Sequence, residues 1–223
     1  MKRITVLLAD DHKVVREGFR ELLDREADLA VVGEAQNGRQ AVKMARKLRP
    51  DVVVMDIAMP LLNGLEATRQ IRKAVPNSKV LILSAHCDDA YVEQAIESGA
   101  LGFLFKQSQA NTLPSAIREL QKGNTLFSPS LIKSFRDQQS PGRSGLLKKK
   151  IPRLSSREME VLQLIVEGQP DKQAAAELGI STKTVEEHRQ NLMSKLHLHD
   201  LAGLTRYAIG VGIIESGVRF TIG

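Results

Sequence analysis

The stretch VVVMDIAMP, residues 52–60, decides the fold class of the first half of the chain, because it joins an apolar run to a carboxylate. A short run of β-branched residues is typical of a parallel strand that is buried on both faces. Asp56 ends this run, and a buried, unpaired carboxylate is too unfavourable to stay charged. Asp56 therefore lies at an exposed strand end, binds a cation or titrates. An aspartate that opens a turn before Pro60 is the simpler alternative.

Four similar runs share the first half of the chain: ITVLLA at 4–9, AVVGEA at 30–35, KVLILS at 79–84 and LGFLFK at 101–106. Segments with the length and period of helices separate them. This alternation predicts an α/β fold, with a five-stranded parallel, doubly wound sheet and helices on both faces. The last strand-helix unit is expected to end near Lys122.

Counting the opening stretch, the chain has five such runs, and polar residues stand at or directly after the ends of four of them: Asp10, Asp11, Asp56, Ser84 and Lys106. The carboxyl ends of parallel strands meet at one edge of a sheet, and ligands bind there. Three carboxylates close together repel each other unless a cation neutralises them, and hard oxygen ligands suit Mg²⁺ better than zinc. The pattern therefore predicts a magnesium site in which the metal and Lys106 keep Asp56 charged.

The sequence pattern changes after residue 123. Serine, glycine, proline and a lysine run at 148–150 predict a linker with a short helix at 125–150, between domains at 1–124 and 151–223. From Ser155 onward the period is helical, with breaks at EGQPD, LGIST and LHLHD. Four short helices are predicted there.

DKQAAAELGISTKTVEEHRQ, residues 171–190, has the spacing of a helix-turn-helix. The small Ala175 lets two helices approach, Gly179 provides the tight turn, and Ser181 or Thr182 can cap the second helix. An ordinary helical hairpin has the same spacing, so both interpretations remain open at this point.

Composition limits the classes of protein to consider. The chain has 223 residues, 42% hydrophobic and 26% charged, as expected of globular domains, and no apolar run approaches the roughly 20 residues of a membrane span. We expect no membrane anchor. A single cysteine, Cys87, cannot form an internal disulfide, which favours a cytoplasmic location.

The net charge of +6 is spread over both halves of the chain. Residues 1–129 carry 18 basic against 16 acidic side chains, a net of +2, and residues 130–223 carry 14 against 10, a net of +4. Because the lysine run at 148–150 supplies much of the second value, charge alone is a weak argument for nucleic-acid binding.

Two sets of motifs resemble a known family. ADDH, MDIAMP, the LS pair and GALGFLFK are similar to the signature of a receiver domain, and LSSREMEVLQLIVEG with STKTVEEHRQNLMSKL is similar to a LuxR-type helix-turn-helix domain. The chain thus resembles a bacterial two-component response regulator of the NarL/FixJ class. The resemblance covers nearly the whole chain apart from the linker.

The resemblance implies a role for each residue of the predicted edge. Asp56 would be the phosphoacceptor, which attacks the phosphohistidine of a sensor histidine kinase or a small phosphodonor. Asp10 and Asp11 would hold Mg²⁺ together with the Asp56 side chain and the Ala58 backbone carbonyl. Lys106 would pair with the phosphoryl group.

The resemblance also implies a switch. Ser84 would be the hydroxyl that moves to bind the phosphate, and Phe103 the aromatic that rotates inward behind it, although core packing alone also accounts for Phe103. Gln107 stands where many receivers carry a cis proline after the lysine. His86 lies where side chains of this family influence the access of water to the phosphoryl group.

In the second half, the resemblance implies that one helix binds DNA. The implied contacts with the phosphate backbone are Lys183, Thr184, Arg189 and Lys195. The residues implied to face base edges are Glu186, Glu187 and Gln190. A glutamate there could accept a hydrogen bond from cytosine N4, or could merely brace Arg189.

These residues predict a phosphorylation-switched transcription regulator that binds promoter DNA, forms a homodimer when phosphorylated and catalyses only its own phosphorylation and dephosphorylation. An aspartate-nucleophile phosphatase is one alternative, but such enzymes usually carry a second acid two residues after the nucleophile, where this chain has Ala58. A phosphorelay or docking module without DNA binding is another. Only the second half of the chain argues against that alternative.

Overall fold

The computed structural model describes residues 3–85, 89–106, 112–127 and 154–214, which belong to two compact units. Each unit has its own hydrophobic core. Most of the predicted linker and its short helix at 125–150 lies outside the described residues, as do His86 and Gln107. The domain boundaries predicted from the sequence therefore stay predictions.

The first unit is an α/β domain. Its strands are β1 (Ile4–Ala9), β2 (Leu29–Ala35), β3 (Val52–Asp56), β4 (Lys79–Ser84) and β5 (Gly102–Phe105). Its helices are α1 (Lys13–Asp24), α2 (Gly38–Leu48), α3 (Gly64–Ala74), α4 (Asp89–Ser98) and α5 (Leu113–Gln121). All strand pairs are parallel, in the order β2-β1-β3-β4-β5. The five-stranded, doubly wound sheet predicted from the sequence is confirmed.

Strand β3 shows why the opening stretch is apolar throughout. All five of its residues are buried, because β1 and β4 flank it and helices cover both faces of the sheet. Val52 and Val54 pack with Phe19 of α1 and Ile117 of α5 on one face. Successive side chains of a strand point to opposite faces, so the residues between them belong to the other face.

The second unit contains only helices within residues 154–214. They are α6 (Ser156–Val166), α7 (Asp171–Leu178), α8 (Thr182–Leu196) and α9 (Leu201–Gly210), which confirms the four predicted helices. The Ser155 side chain caps α6 in a reciprocal pair with Glu158. Buried residues of all four helices, such as Val161, Ala174 and Leu204, form one core.

Gly179 makes the turn that the sequence predicted between α7 and α8. Its φ of 63° lies in the left-handed region that glycine adopts without steric penalty. Ser181 is the residue that caps α8, since its hydroxyl accepts a hydrogen bond from the Thr184 backbone N–H. Val185 is fully buried, as expected of the second helix of such a motif.

None of the helices in the described ranges is both long enough and apolar enough to cross a membrane.

Candidate functional site

The topology of the sheet creates a crevice between β1 and β3. The chain passes from β1 to β2 on one side and then returns to β3 on the other, so the connections diverge at the carboxyl ends of β1 and β3. Ligands of open α/β sheets bind at such switch points. Ala9 pairs in register with Met55, which brings Asp10 and Asp56 to the same level of this edge.

The carboxylates of the switch point are close together, and two of them are buried. Ligand atoms of Asp10, Asp11, His12 and Asp56 all lie within 4.8 Å of one another. Asp10 is 3% exposed and Asp56 is 5% exposed. The Lys106 Nζ lies 2.8 Å from an oxygen of Asp10 and 2.8 Å from an oxygen of Asp56. The structure therefore brings together the cluster that the sequence predicted.

The electrostatics of the pocket raise the pKa of Asp56 above its ordinary value. Burial raises its pKa, Lys106 opposes this effect, and the neighbouring Asp10 raises the pKa further, to about 7. Burial alone would lower the pKa of Lys106, but Asp56 and Asp10 outweigh it and raise that pKa above its usual value. Burial and the neighbouring Asp10 disfavour the ionised form of Asp56. A divalent cation bound in this pocket would stabilise that form.

The donor set fits Mg²⁺. One oxygen of Asp56 accepts the Ile57 backbone N–H at 2.8 Å, and one oxygen of Asp10 accepts the His12 backbone N–H at 2.9 Å. Each carboxylate oxygen keeps a further lone pair for a metal. Asp11 adds a partly exposed carboxylate, and the half-buried Ala58 lies two residues after Asp56, in the loop that follows β3. Hard oxygen donors of this kind suit Mg²⁺.

His12 is a member of the cluster that the sequence reasoning missed. Its Nδ1 lies 2.8 Å from an oxygen of Asp11, while 64% of its side chain is exposed. The signal was present in the sequence, because His12 directly follows the two aspartates.

The two predicted switch residues lie on the neighbouring strands. Ser84 is buried at the end of β4, one residue beyond Leu83, which pairs in register with Asp56. Phe103 is half-buried on β5, where it pairs in register with Ile82. Their positions agree with the predicted roles but do not test them. His86 and Gln107, outside the described residues, are not placed.

Two residues that shape the site were not singled out from the sequence. Gly64 opens α3 against the end of β3, and a Cβ there would lie 1.7 Å from the Asp56 carbonyl oxygen. Arg16 is buried, and its Nη1 donates to the Asp10 carbonyl oxygen at 2.7 Å. Arg16 shares the buried face of α1 with Phe19 and Leu23, and an arginine at such a helical spacing was a signal available in the sequence.

In the second unit, α8 presents most of the predicted DNA contacts to solvent. Val185 and Leu192 face the core of the unit. The exposed residues among the predicted contacts are Lys183, Glu186, Glu187, Gln190 and Lys195, whereas Thr184 and Arg189 are half-buried. The helix thus separates a core face from a polar outer face, as a groove-binding helix requires.

Two of the predicted cationic contacts have acidic partners within the same unit. The Lys195 Nζ lies 2.7 and 2.8 Å from the two oxygens of Glu158. An Nη atom of Arg189 lies 3.6 Å from an oxygen of Asp171 on α7, so the brace is not one of the neighbouring glutamates. Whether any of these side chains contacts DNA stays a prediction.

Comparison with known proteins covers both units. Residues 6–118 match the family described as the response regulator receiver domain, and residues 152–208 match the bacterial regulatory proteins of the luxR family. DegU of Brevibacillus brevis, a transcriptional regulatory protein, is 36% identical over a match that covers 89% of each chain.

Solved structures give the same result. The RcsB response regulator of Salmonella typhimurium is 27% identical with a TM-score of 0.62, over 95% of this chain and 99% of RcsB. A two-component response regulator RcsB-DNA complex matches with a TM-score of 0.54 and 27% identity, over 94% of this chain and 100% of that chain. The chain therefore belongs to the two-component response regulators that join a receiver domain to a LuxR-family helix-turn-helix domain.

Proposed function

We propose that Asp56 accepts a phosphoryl group in a Mg²⁺-dependent reaction, and that this phosphorylation controls the binding of the helix-turn-helix domain to promoter DNA. The observation that carries the proposal is the position of the Lys106 ammonium, 2.8 Å from both Asp10 and Asp56 at the switch point of the receiver sheet. A sensor histidine kinase would be the phosphodonor, as in other two-component systems.

The chemistry follows from the groups in the pocket. An oxygen of the Asp56 carboxylate attacks the phosphorus of the donor, a new O–P bond forms, and the bond to the histidine nitrogen or to the small leaving group breaks. The nucleophile must be ionised, and Lys106 favours that form of Asp56. Mg²⁺ held by Asp10, Asp11, Asp56 and the Ala58 carbonyl would neutralise the negative charge of the transferring oxygens.

Once Asp56 carries the phosphoryl group, Lys106 can pair with it instead of with the free carboxylate. Ser84 lies buried on the adjacent strand, and its hydroxyl would donate to a phosphoryl oxygen. Movement of Ser84 would leave space behind it for Phe103 to turn inward. These two displacements would link the phosphorylation state of Asp56 to the outer surface of β4 and β5.

The exposed face of α8 supports the DNA-binding half of the proposal. Lys183 and Arg189 would neutralise phosphates, with Thr184 at the start of the helix as a further backbone contact. Glu186, Glu187 and Gln190 would face base edges in the major groove. We further propose that the phosphorylated protein binds as a homodimer, which sedimentation analysis with and without a phosphodonor can measure.

The test of the site is labelling of the full chain with acetyl phosphate in Mg²⁺. Asp56→Asn should take up no phosphate, whereas Asp51→Asn should be labelled like the wild type. Asp51 is the matched control, since it lies just before β3, at the end of the strand away from Asp56, and accepts hydrogen bonds from Thr5. Stoichiometric labelling of Asp56→Asn would show that the acceptor lies elsewhere.

A gel-shift assay with genomic DNA fragments tests the regulatory half. Phosphodonor should tighten binding of the wild type to a subset of fragments and leave Asp56→Asn unchanged. Retention of no fragment in either state would favour a phosphorelay or docking module. The phosphatase alternative is weaker, because Ala58 offers no acid and the relatives are regulators of transcription.

A further inference from the structure

Arg16 is a buried cation beside the acidic pocket, and it makes two polar contacts. Its side chain is 6% exposed. Its Nη1 donates to the Asp10 carbonyl oxygen at 2.7 Å, and its Nε lies 3.3 Å from an oxygen of Glu34 on β2. A buried guanidinium is tolerated only with such partners, and the shorter of the two contacts, to the Asp10 carbonyl, has the length of a charge-assisted hydrogen bond.

The Asp10 carbonyl is a sensitive point of attachment. Because a peptide bond is planar, the direction of the Asp10 carbonyl fixes the plane that leads to the Cα of Asp11. A donor that holds this carbonyl therefore constrains both acidic residues at once. Arg16, the fourth residue of α1, supplies that donor.

The other parts of Asp10 are held by different elements. Its backbone N–H donates to the Ala35 carbonyl at 3.1 Å. One side-chain oxygen accepts the His12 backbone N–H at 2.9 Å, and the other lies 2.8 Å from the Lys106 Nζ. The contact with Arg16 completes this set by fixing the carbonyl.

Glu34 keeps Arg16 in place. A hydrogen bond from Arg20 lowers the pKa of Glu34, burial opposes this effect, and the hydrogen bond from Arg16 lowers the pKa further. Glu34 is thus ionised and shared by two arginines. Arg20, however, is 48% exposed, and no contact between its guanidinium and Asp10 is found within the described residues.

We infer that Arg16 is a positioning residue for the metal site. It is anchored by Glu34 and donates to the Asp10 carbonyl, and this contact orients Asp10 and Asp11 toward Asp56. The inference rests on the proposed function, because it assumes that these carboxylates bind a divalent cation. It assigns Arg16 no contact with the metal or with the phosphoryl group. Groups that orient metal ligands in this way typically contribute about tenfold to a hundredfold in metal affinity.

The test is Mn²⁺ binding by the full chain, followed by electron paramagnetic resonance, which measures free and bound metal without any phosphodonor. Arg16→Met should weaken Mn²⁺ binding by about tenfold or more. Arg16→Lys should weaken it by a smaller factor, because one ammonium cannot reproduce the fork of a guanidinium. Arg20→Met is the matched control and should bind Mn²⁺ as the wild type does, since it removes the other partner of Glu34.

The outcomes separate the inference from the proposed function. If folded Arg16→Met binds Mn²⁺ like the wild type, the inference is wrong. If Arg16→Met does not fold, Arg16→Lys decides the matter, and wild-type affinity in that variant overturns the inference. An equal loss in Arg20→Met also overturns it, because the effect would then belong to Glu34 and not to the Asp10 carbonyl. If the wild type itself binds no Mn²⁺, the proposed function fails first.

Discussion

The acidic edge of the receiver and the outer face of α8 both carry charged residues that the sequence singled out. These charges are mostly buried at the edge and mostly exposed on α8. At the edge, Asp10 and Asp56 are buried, lie at the carboxyl ends of different strands and share the Lys106 ammonium. On α8, Lys183 and Glu186 are exposed and lie on one helix. The first site depends on long-range packing, and the second depends on helical spacing alone.

This difference predicts how the two regions respond to substitution. A change at the receiver edge should alter stability and chemistry together, because the same contacts hold the fold and set the pKa values. A change on the exposed face of α8 should alter DNA binding with little effect on the free energy of unfolding. The predictions below test this contrast, from the largest expected effect to the smallest.

Gly64→Ala should produce the largest loss of stability. The added Cβ would lie 1.7 Å from the Asp56 carbonyl oxygen, a backbone atom that no side-chain rotation can move aside, so α3 must shift away from β3. We expect a loss of roughly 3 kcal/mol or more in the free energy of unfolding, measured by urea denaturation. A shift of α3 should also slow labelling by acetyl phosphate.

Gly18→Ala is the matched control for that experiment. Gly18 lies within α1, and a Cβ there would meet nothing within 4 Å. Alanine should therefore stabilise the helix by about 0.5 to 1 kcal/mol. Equal stability of the Gly64→Ala protein and the wild type would contradict the close approach of α3 to Asp56.

The pH dependence of stability should reveal that the folded protein disfavours the ionised form of Asp56. Its folded-state pKa of about 7 lies above the ordinary value of 3.8, so folding favours the protonated form. The stability that Asp56 contributes is therefore fully present below about pH 4 and is lost as the pH rises through 7. Asp56→Asn, which cannot ionise, should gain stability relative to the metal-free wild type as the pH rises from 4 to 8.

Thermal denaturation in a chelator at pH 4, 6 and 8 measures this effect. The two proteins should unfold at similar temperatures at the acid end and diverge as the pH rises. Adding Mg²⁺ at pH 8 should narrow the gap, because a bound cation stabilises the ionised carboxylate. Parallel stability curves for the two proteins across this range would show that Asp56 ionises freely in the folded state.

Glu186→Ala should change DNA recognition without a comparable change in stability. A carboxylate facing DNA repels phosphates on every sequence and is compensated only where a cytosine amino group is presented. The substitution should strengthen non-specific binding and reduce the preference at one or two base pairs by roughly 1 to 3 kcal/mol. Binding-site selection with the full chain measures both, and an unchanged selected motif would mean that Glu186 does not read bases.

Lys195 and Lys183 should behave differently, although both were predicted to contact phosphates. Lys195 is paired with Glu158, which is buried, so Lys195→Met should lower the free energy of unfolding by about 1 kcal/mol. Lys183 is exposed, so Lys183→Met should leave stability unchanged and reduce the salt dependence of DNA binding by about one unit. If Lys195→Met also reduces the salt dependence of DNA binding, Lys195 leaves Glu158 and pairs with a DNA phosphate in the complex.

Much of this molecule could be predicted from local pattern. The five strands, the four carboxy-terminal helices and the residues at the strand ends all follow from the period of apolar residues and from the rule that parallel strands share an edge. The elements themselves depend on neighbours along the chain, and the general rule for parallel sheets then places their ends together. The predicted cluster of Asp10, Asp56 and Lys106 formed because Asp56 ends β3, while Asp10 and Lys106 directly follow β1 and β5 at the same edge of the sheet.

The parts that sequence reasoning missed depend on contacts between distant segments. Nothing local distinguishes Gly64 from other glycines of the chain until α3 is placed against the end of β3. The pairing of Lys195 with Glu158 joins residues 37 positions apart and required the packing of α8 on α6. Arg16 is an intermediate case. Its position on the buried face of α1 could be predicted from helical spacing, but its contact with the Asp10 carbonyl could not.

The strand order described above also bears on how the chain acquires its structure. Strand β1 precedes both of its partners, β2 and β3, in the chain, and β3 can pair with it only after two helices have been made. Pairings between distant segments slow folding, whereas the helices α6 to α9 follow one another at short range. The DNA-binding unit should therefore acquire its structure faster in refolding than the receiver, although it follows the receiver in the chain.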